Sequence, residues 1–316
     1  MEHVPVRQQA RTQFCARETA AQLFDAWQYQ HRSYSIQGPS SAVAIAFSPA
    51  LQLRASIDAS LIGATVSDSL KRLLQAGSCP LEALDADLFS SETISRTLLS
   101  LLTANDAGIT RSEILRQMFY SHDPSETYFH DVLHTLLRTN HLLLNTSSSE
   151  EDEIALLDEI PLWTFLANII DLSCEQYRHS HSFITPSIIN LERTFRSASF
   201  SELSTQVLQQ LQNGSPIAAS FCTHILRQAP SSELVAAASS AESYRALEET
   251  CGPEGLHAAP VIGVRPDSDT GACEYLIQNS WGSRCDWTEL ECEGGKVWVS
   301  EESFEAFSFS MTWLEE

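Results

Sequence analysis

A histidine and an asparagine near the C-terminal end of the chain have side chains suited to proton transfer. His257 lies at the start of the apolar stretch 256–263, and Asn279 follows the apolar stretch 275–278. Both stretches are predicted to be strands joined by a polar turn, which places the two side chains at neighbouring strand ends. An amide oxygen bonded to one ring nitrogen would fix the imidazole tautomer and leave the other nitrogen free to act as a base.

Cys15 is the predicted nucleophile for that base. Apolar residues at helical spacing begin there and continue to about residue 30, so the thiol lies at a helix N-terminus. Backbone N–H groups and the helix dipole stabilise a thiolate at this position, and we expect them to lower the thiol pKa. A single cysteine at a helix start is also explained by burial as a small apolar side chain. The chain order Cys, His, Asn favours the catalytic interpretation.

Gln9 precedes Cys15 by six residues, and Asn279 opens the motif Asn-Ser-Trp-Gly. With these residues, the segments at 5–9, 47–53, 63–70, 77–80 and 207–221 resemble the papain-like cysteine peptidases. The resemblance implies an α+β papain-like fold, with a helical left subdomain and an antiparallel β right subdomain. It also implies a role for each catalytic residue: Cys15 as nucleophile, Gln9 as oxyanion donor, His257 as base and Asn279 as its orienting amide. Trp281 is expected to cover the His–Asn bond. The expected substrate contacts are Trp281, Phe14 and Ala258.

Three positions depart from the pattern of that family. Ala10 replaces a glycine, Phe14 replaces a small residue, and Ala16 replaces a larger apolar residue. These changes affect substrate fit near the nucleophile and leave the triad intact. A second segment, 37–44, echoes the nucleophile motif with Ala42 in place of a cysteine, but Cys15 has the better spacing and the helix behind it.

Extra chain separates the nucleophile from its base. His257 follows Cys15 by 242 residues, against roughly 130–150 in papain-like enzymes. Amphipathic helical patterns fill the surplus, and one of these helices is predicted to start near Ser125. We therefore predict a helical subdomain at 1–87, an inserted winged-helix-like module at 88–150 and a β subdomain at 151–316. The acidic stretch 147–153 is predicted to be a loop.

The charge of the chain excludes some partners. The formal net charge is −22 at pH 7, and only two lysines occur. The segment 87–150 carries four arginines against eight acidic residues. The winged-helix-like module is therefore expected to contact a regulatory protein, or to be purely structural, rather than to bind nucleic acid. No apolar run reaches 18 residues, which predicts no membrane contact. The N-terminal residues lack a signal-peptide layout, which favours a cytoplasmic location.

Eight cysteines are scattered along the chain without a CxxC motif. We expect most of them to be buried, reduced thiols. Cys285 and Cys292 are close enough for a disulfide or for half of a metal site, but no second pair of ligands is evident. No metal and no cofactor are therefore expected.

The resemblance predicts a cysteine endopeptidase that acts on a protein or peptide substrate, with the insertion docking a substrate or a regulator. The altered residues Ala10, Phe14 and Ala16 leave open a catalytically inactive binding protein with the same fold. An isopeptidase or acyl transferase with the same triad also stays open, because the cleft, and not the triad, selects the leaving group.

Overall fold

The computed structural model describes residues 15–31, 65–76, 79, 111, 126–140, 142, 150–160, 162–178, 186–193, 200–252, 255–267 and 271–315. The described part is α+β, as predicted, with one antiparallel sheet. Its helices are α1 (Cys15–His31), α2 (Val66–Ala76), α3 (Glu126–Thr139), α4 (Glu150–Leu157), α5 (Leu162–Arg178), α6 (Phe200–Gln212), α7 (Ser232–Ser239), α8 (Tyr244–Thr250) and α9 (Glu301–Phe307). Its strands are β1 (Ser187–Glu192), β2 (Ile217–Cys222), β3 (Leu256–Pro266), β4 (Cys273–Gln278), β5 (Cys292–Glu293), β6 (Lys296–Ser300) and β7 (Ser308–Glu315).

The sheet has seven strands in the order β1-β7-β2-β3-β4-β6-β5, and every pair is antiparallel. The strand predicted to contain His257 is confirmed as β3, and the strand predicted to precede Asn279 is confirmed as β4. The two strands are neighbours in the sheet. In the register, His257 lies opposite Phe221 of β2. The sheet therefore places β3 in its middle, and the predicted base lies at the start of that strand, beside β2.

Both faces of the sheet are buried, because successive side chains of a strand point to opposite faces. On β2, Ile217 and Ala219 belong to a core that also contains residues of α6, α7, α8 and α9. Ala218 and, on β3, Ala258 belong to a second core formed with α1 and α2. The sheet is thus the layer between two sets of helices.

Helix α1 lies close to the sheet because the side chains at the contact are small. Ala16, Ala20 and Ala21 are buried in the same core as Ala218 and Ala258. The helix begins at Cys15, as predicted, and runs to His31. Helix α2 covers α1 with Val66, Leu70 and Leu73, whose spacing puts them on one helical face.

Two predicted features of the middle of the chain have different outcomes. The helix predicted to start near Ser125 is confirmed as α3. The prediction of a loop over 147–153 is wrong from Glu150 onward, where α4 begins. Acidic side chains in a first helical turn are favoured by the helix dipole, which the charge-based prediction overlooked. Most of the predicted winged-helix-like module, 88–150, lies outside the described residues.

The prediction of mostly reduced cysteines is wrong. Disulfides join Cys79 to Cys174, Cys222 to Cys251 and Cys285 to Cys292, and they leave Cys15 and Cys273 as thiols. The first pair is 95 positions apart in the chain, so spacing alone did not reveal it. Of the two alternatives left open for Cys285 and Cys292, the disulfide is the one observed.

The disulfides predict an order of stabilities. The bond between Cys79 and Cys174 closes a long loop, so replacing both by serine is expected to lower the free energy of unfolding by about 4–5 kcal/mol. Replacing Cys285 and Cys292, which are seven positions apart, is expected to cost only about 2 kcal/mol. Denaturant unfolding of the two double variants measures this order, and the opposite order would contradict the prediction.

Candidate active site

The thiol of Cys15 lies against the strand residue that follows the predicted base. Cys15 is the first residue of α1 and is partly buried. One turn further along, the Thr19 hydroxyl donates a hydrogen bond of 2.9 Å to the carbonyl of Ala258. Residues four apart share a helical face, so this bond places the Cys15 face of α1 on β3. The backbone N–H of Ala258 also faces the Cys15 sulfur and acts to lower the pKa of the thiol.

The imidazole of His257 and the amide of Asn279 form the predicted pair. His257 Nε2 lies 2.8 Å from Asn279 Oδ1, and both side chains are buried. The backbone N–H of Ser280 donates to the same Oδ1 over 2.8 Å, which fixes the orientation of the amide. Because Oδ1 is an acceptor, Nε2 must carry the proton, and Nδ1 is left with a lone pair. The pair thus has the tautomer that a general base needs.

Aromatic rings enclose this imidazole. The ring of Trp281 lies 5.1 Å from the ring of His257, and the ring of Phe221 meets it edge-on at 5.8 Å. Trp287 packs edge-on against Trp281 at 5.0 Å. The two tryptophans therefore shield the His–Asn hydrogen bond from water, which strengthens it.

Hydrogen bonds and a disulfide attach the start of β3 to the end of the neighbouring strand β2. Gly255 has a φ of +68°, a conformation that residues with a side chain rarely adopt, and it leads the chain into β3. Its carbonyl accepts hydrogen bonds from the backbone N–H and from the hydroxyl of Thr223, each 3.0 Å long. The disulfide between Cys222 and Cys251 ties the preceding helix to the end of β2. His257 is therefore held two residues after a fixed turn.

Burial sets the protonation states of the two reactive side chains. It lowers the pKa of His257 to about 4, although the bond to Asn279 acts in the opposite direction. Burial also raises the pKa of the Cys15 thiol, against the lowering effect of backbone N–H groups and of the charge on Arg17. The predicted lowering of the Cys15 pKa is therefore wrong. Burial therefore disfavours both charged forms, the thiolate and the imidazolium.

Sequence reasoning missed a polar stripe on α1. Cys15, Thr19 and Gln22 share one face of the helix, at spacings of four and seven residues. The side chain of Gln22 accepts a hydrogen bond of 3.3 Å from the amide of Gln278, and both residues are fully buried. Gln278 immediately precedes Asn279, so the stripe connects the nucleophile helix to both strands of the site. Polar residues on the otherwise apolar buried face were the available signal.

The remaining predicted site residues either lie outside the described part of the chain or do not face a substrate. Gln9 and Phe14 lie outside the described residues, as does Ala42. Ala258 is only 3% exposed and packs beneath α1, so it presents its backbone to the thiol rather than a side-chain surface to a substrate. Within the described ranges, no group of three or more His, Cys, Asp or Glu side chains is arranged to hold a metal ion.

No family model and no curated protein matches the chain. Among solved structures it is similar to xylellain, a cysteine protease from Xylella fastidiosa, with 13% identity, a TM-score of 0.47, and coverage of 98% of this chain and 82% of that chain. It is also similar to the bromelain protease from Ananas comosus, with 12% identity, a TM-score of 0.42, and coverage of 98% and 93%. A third similar structure is PepW from Lactobacillus rhamnosis, with 12% identity, a TM-score of 0.49, and coverage of 98% and 79%. The site itself rests on the hydrogen bonds and burial described above.

The buried imidazole predicts a pH dependence of stability. The pKa of His257 falls from its ordinary 6.5 to about 4 on folding, so the unfolded chain binds the proton first as the pH is lowered. Stability from this residue is complete above pH 6.5 and is lost as the pH falls to 4, by about 3 kcal/mol in total. Urea unfolding of the wild type and of His257→Gln, each at pH 7.5 and at pH 4.5, measures this contribution to the free energy of unfolding. The difference in unfolding free energy between the two proteins should shrink at the lower pH, and a constant difference would contradict the assignment.

The Thr19 hydroxyl is expected to matter for both stability and reactivity. Thr19→Val leaves the buried Ala258 carbonyl without this donor and is expected to cost about 1–2 kcal/mol of unfolding free energy. It should also change the rate at which iodoacetamide alkylates Cys15, because α1 loses the hydrogen bond that positions it on β3. Thr139→Val is the matched control, since its hydroxyl bonds a helix carbonyl at an exposed position. Equal effects of the two substitutions would show that Thr19 has no positioning role.

Proposed function

We propose that this protein is a cysteine endopeptidase that hydrolyses peptide bonds of a protein or peptide substrate. The observation that carries the proposal is the connection of Cys15, through Ala258, to the buried and correctly oriented His257–Asn279 pair. A thiol, a base with a free ring nitrogen and an orienting amide are the three parts that nucleophilic acyl transfer requires.

Burial favours the neutral forms of the thiol and the imidazole, which suggests how the reaction begins. When the Cys15 sulfur attacks the substrate carbonyl, a sulfur–carbon bond forms and the thiol proton passes to Nδ1 of His257. The tetrahedral oxyanion is received by the backbone N–H of Cys15 and by the Gln9 side chain, a role that the resemblance implies. The imidazolium then returns the proton to the leaving amine as the carbon–nitrogen bond breaks.

The second half of the reaction uses the same imidazole. Neutral His257 takes a proton from water, and the resulting hydroxide attacks the thioester carbon. Collapse of this intermediate releases the carboxylic acid and restores the thiol. Asn279 supports each step, because its bond to Nε2 keeps Nδ1 directed at the reacting atoms and stabilises the imidazolium.

Location and regulation are also proposals. Disulfides persist in oxidising compartments and are rare in the cytoplasm. The three disulfides therefore favour an oxidising compartment over the cytoplasmic location predicted from the N-terminal residues. No helix among the described residues is long and apolar enough to cross a membrane. We keep the segment 88–150 as the proposed docking module for a substrate or a regulatory protein.

The function is tested by labelling and cleavage with one pair of variants. Cys15→Ala and Cys273→Ala each remove one of the two thiols that no disulfide occupies. We expect an epoxide electrophile to label Cys15. This labelling should be absent in Cys15→Ala and unchanged in Cys273→Ala. Cleavage of denatured casein, followed by mass spectrometry, should fall at least about 10³-fold in Cys15→Ala and in His257→Ala.

The opposite results have clear meanings. Absence of Cys15 labelling together with absence of cleavage would favour the inactive binding protein. Cleavage that survives Cys15→Ala would remove Cys15 as the nucleophile. Labelling of Cys15 that depends on His257, without hydrolysis of any main-chain peptide bond, would favour an isopeptidase or acyl transferase.

A further inference from the structure

A disulfide closes the loop that carries the second tryptophan of the site. Cys285 and Cys292 are bonded across seven positions of the chain, and Trp287 lies between them. The ring of Trp287 meets the ring of Trp281 edge-on at 5.0 Å, and the ring of Trp281 lies 5.1 Å from the ring of His257. Two ring contacts therefore connect the loop closed by this disulfide to the catalytic imidazole.

The disulfide attaches the first part of this loop to the edge of the sheet. Cys292 belongs to β5 and pairs with Val297 of β6, and its side chain packs against the core formed with α6, α7, α8 and α9. Cys285, at the other end of the bond, lies two residues before Trp287. A covalent bond to a fixed strand restricts the conformations of the residues beside it. Trp287 is therefore held close to the sheet.

The later part of the loop has attachments of its own. The carbonyl of Arg227 accepts a hydrogen bond of 2.7 Å from the N–H of Glu289 and one of 3.3 Å from the hydroxyl of Thr288. The indole N–H of Trp287 donates to the carbonyl of Arg284 over 2.5 Å, which is a bond within the loop. A bond of that kind does not fix the loop on the sheet. Loss of the disulfide is therefore expected to loosen the segment from Arg284 to Trp287 and to leave the rest of the loop in place.

This disulfide is also the accessible one of the three. Cys285 and Cys292 are partly exposed, whereas the four cysteines of the other two disulfides are at most 3% exposed. Thiol–disulfide exchange begins when a thiolate attacks a sulfur atom, so it requires access to that atom. A dithiol forms a mixed disulfide with one of the two cysteines, and its second thiolate then closes the oxidised, cyclic dithiol. Two electrons and two protons pass to the protein, and Cys285 and Cys292 become thiols.

Movement of Trp287 would expose the base to water. Trp281 is itself only partly buried, so its contact with Trp287 helps to fix its position over the imidazole. The hydrogen bond between His257 and Asn279 is strong because its surroundings exclude water. Water that reached this bond would compete for Asn279 Oδ1 and would hold the imidazole less firmly in the orientation that a base requires.

We propose that the disulfide between Cys285 and Cys292 is a positioning element of the site, which holds Trp287 against Trp281 and keeps the His257–Asn279 bond dry. Its reduction by a dithiol therefore lowers the activity of the enzyme while the fold is retained. This inference rests on the proposed peptidase function and adds to it a means of regulation.

The double variant Cys285→Ser/Cys292→Ser tests the proposal without a reductant. The substrate is an internally quenched peptide that spans a bond cleaved in denatured casein. We expect kcat to fall about tenfold and KM to change by less than about twofold, because the base is misplaced and the substrate still binds. The proton on Nε2 of His257, followed by NMR in protein labelled with ¹⁵N-histidine, should exchange with water about tenfold faster.

A second disulfide supplies the matched control. Cys79→Ser/Cys174→Ser removes a buried disulfide outside the sheet, and its long loop makes this the larger loss of stability. If the disulfides acted through stability alone, this control would also lose more activity. The proposal predicts the opposite order, with kcat and the exchange of the His257 ring proton near their wild-type values in the control. Circular dichroism checks that both double variants are folded.

Graded reduction of the wild type repeats the test without any substitution. As dithiothreitol is added, Cys285 and Cys292 should be the first disulfide cysteines to react with iodoacetamide, as peptide mapping shows. The value of kcat should fall in step with their reduction and should return when the dithiol is removed and the disulfide forms again. This series also decides the question if the control variant does not fold.

The results that would overturn the proposal differ from those that would overturn the peptidase function. If loss of the Cys285–Cys292 bond changes neither kcat nor the exchange of the His257 ring proton, or if the control variant loses more kcat, the disulfide has no positioning role and the peptidase function stands. If the wild type cleaves neither peptide nor denatured protein, the peptidase function fails, and the exchange of the ring proton still decides whether this disulfide positions the imidazole.

Discussion

The contact between helix α1 and strand β3 is the interaction on which the site depends. Alanines on both elements allow a close approach, and the Thr19 hydroxyl fixes the register by bonding to the Ala258 carbonyl. This contact joins residues more than 200 positions apart in the chain, so the nucleophile and its base meet only in the folded protein. Larger side chains at the interface would separate them, because packed interiors have no spare volume.

Burial has opposite effects at the same site. It protects the hydrogen bond between His257 and Asn279, and that bond fixes the tautomer that a base requires. It also disfavours both charged forms, so the pKa of His257 falls and that of Cys15 rises. Burial therefore favours a reaction that starts from neutral groups and develops charge when the substrate is attacked.

Local patterns in the sequence were sufficient for several parts of the structure. The helix from Cys15 and the strand containing His257 follow from the spacing of apolar residues, and both are observed. The strand before Asn279 followed in the same way. The acidic helix α4 was missed, because charge was weighed without the helix dipole. The cysteine pairs were missed, because pairing depends on distances that spacing does not contain.

The sequence by itself determined which residues could react and which elements carry them, since secondary structure and chain order are written in local periodicity. Only the tertiary structure decided the direction in which their pKa values shift, the disulfide pairs, and the contact between Gln22 and Gln278. These properties arise from burial and from contacts between distant segments. The free energy of a buried charge depends on everything packed around it, and that surrounding does not exist until the chain has folded.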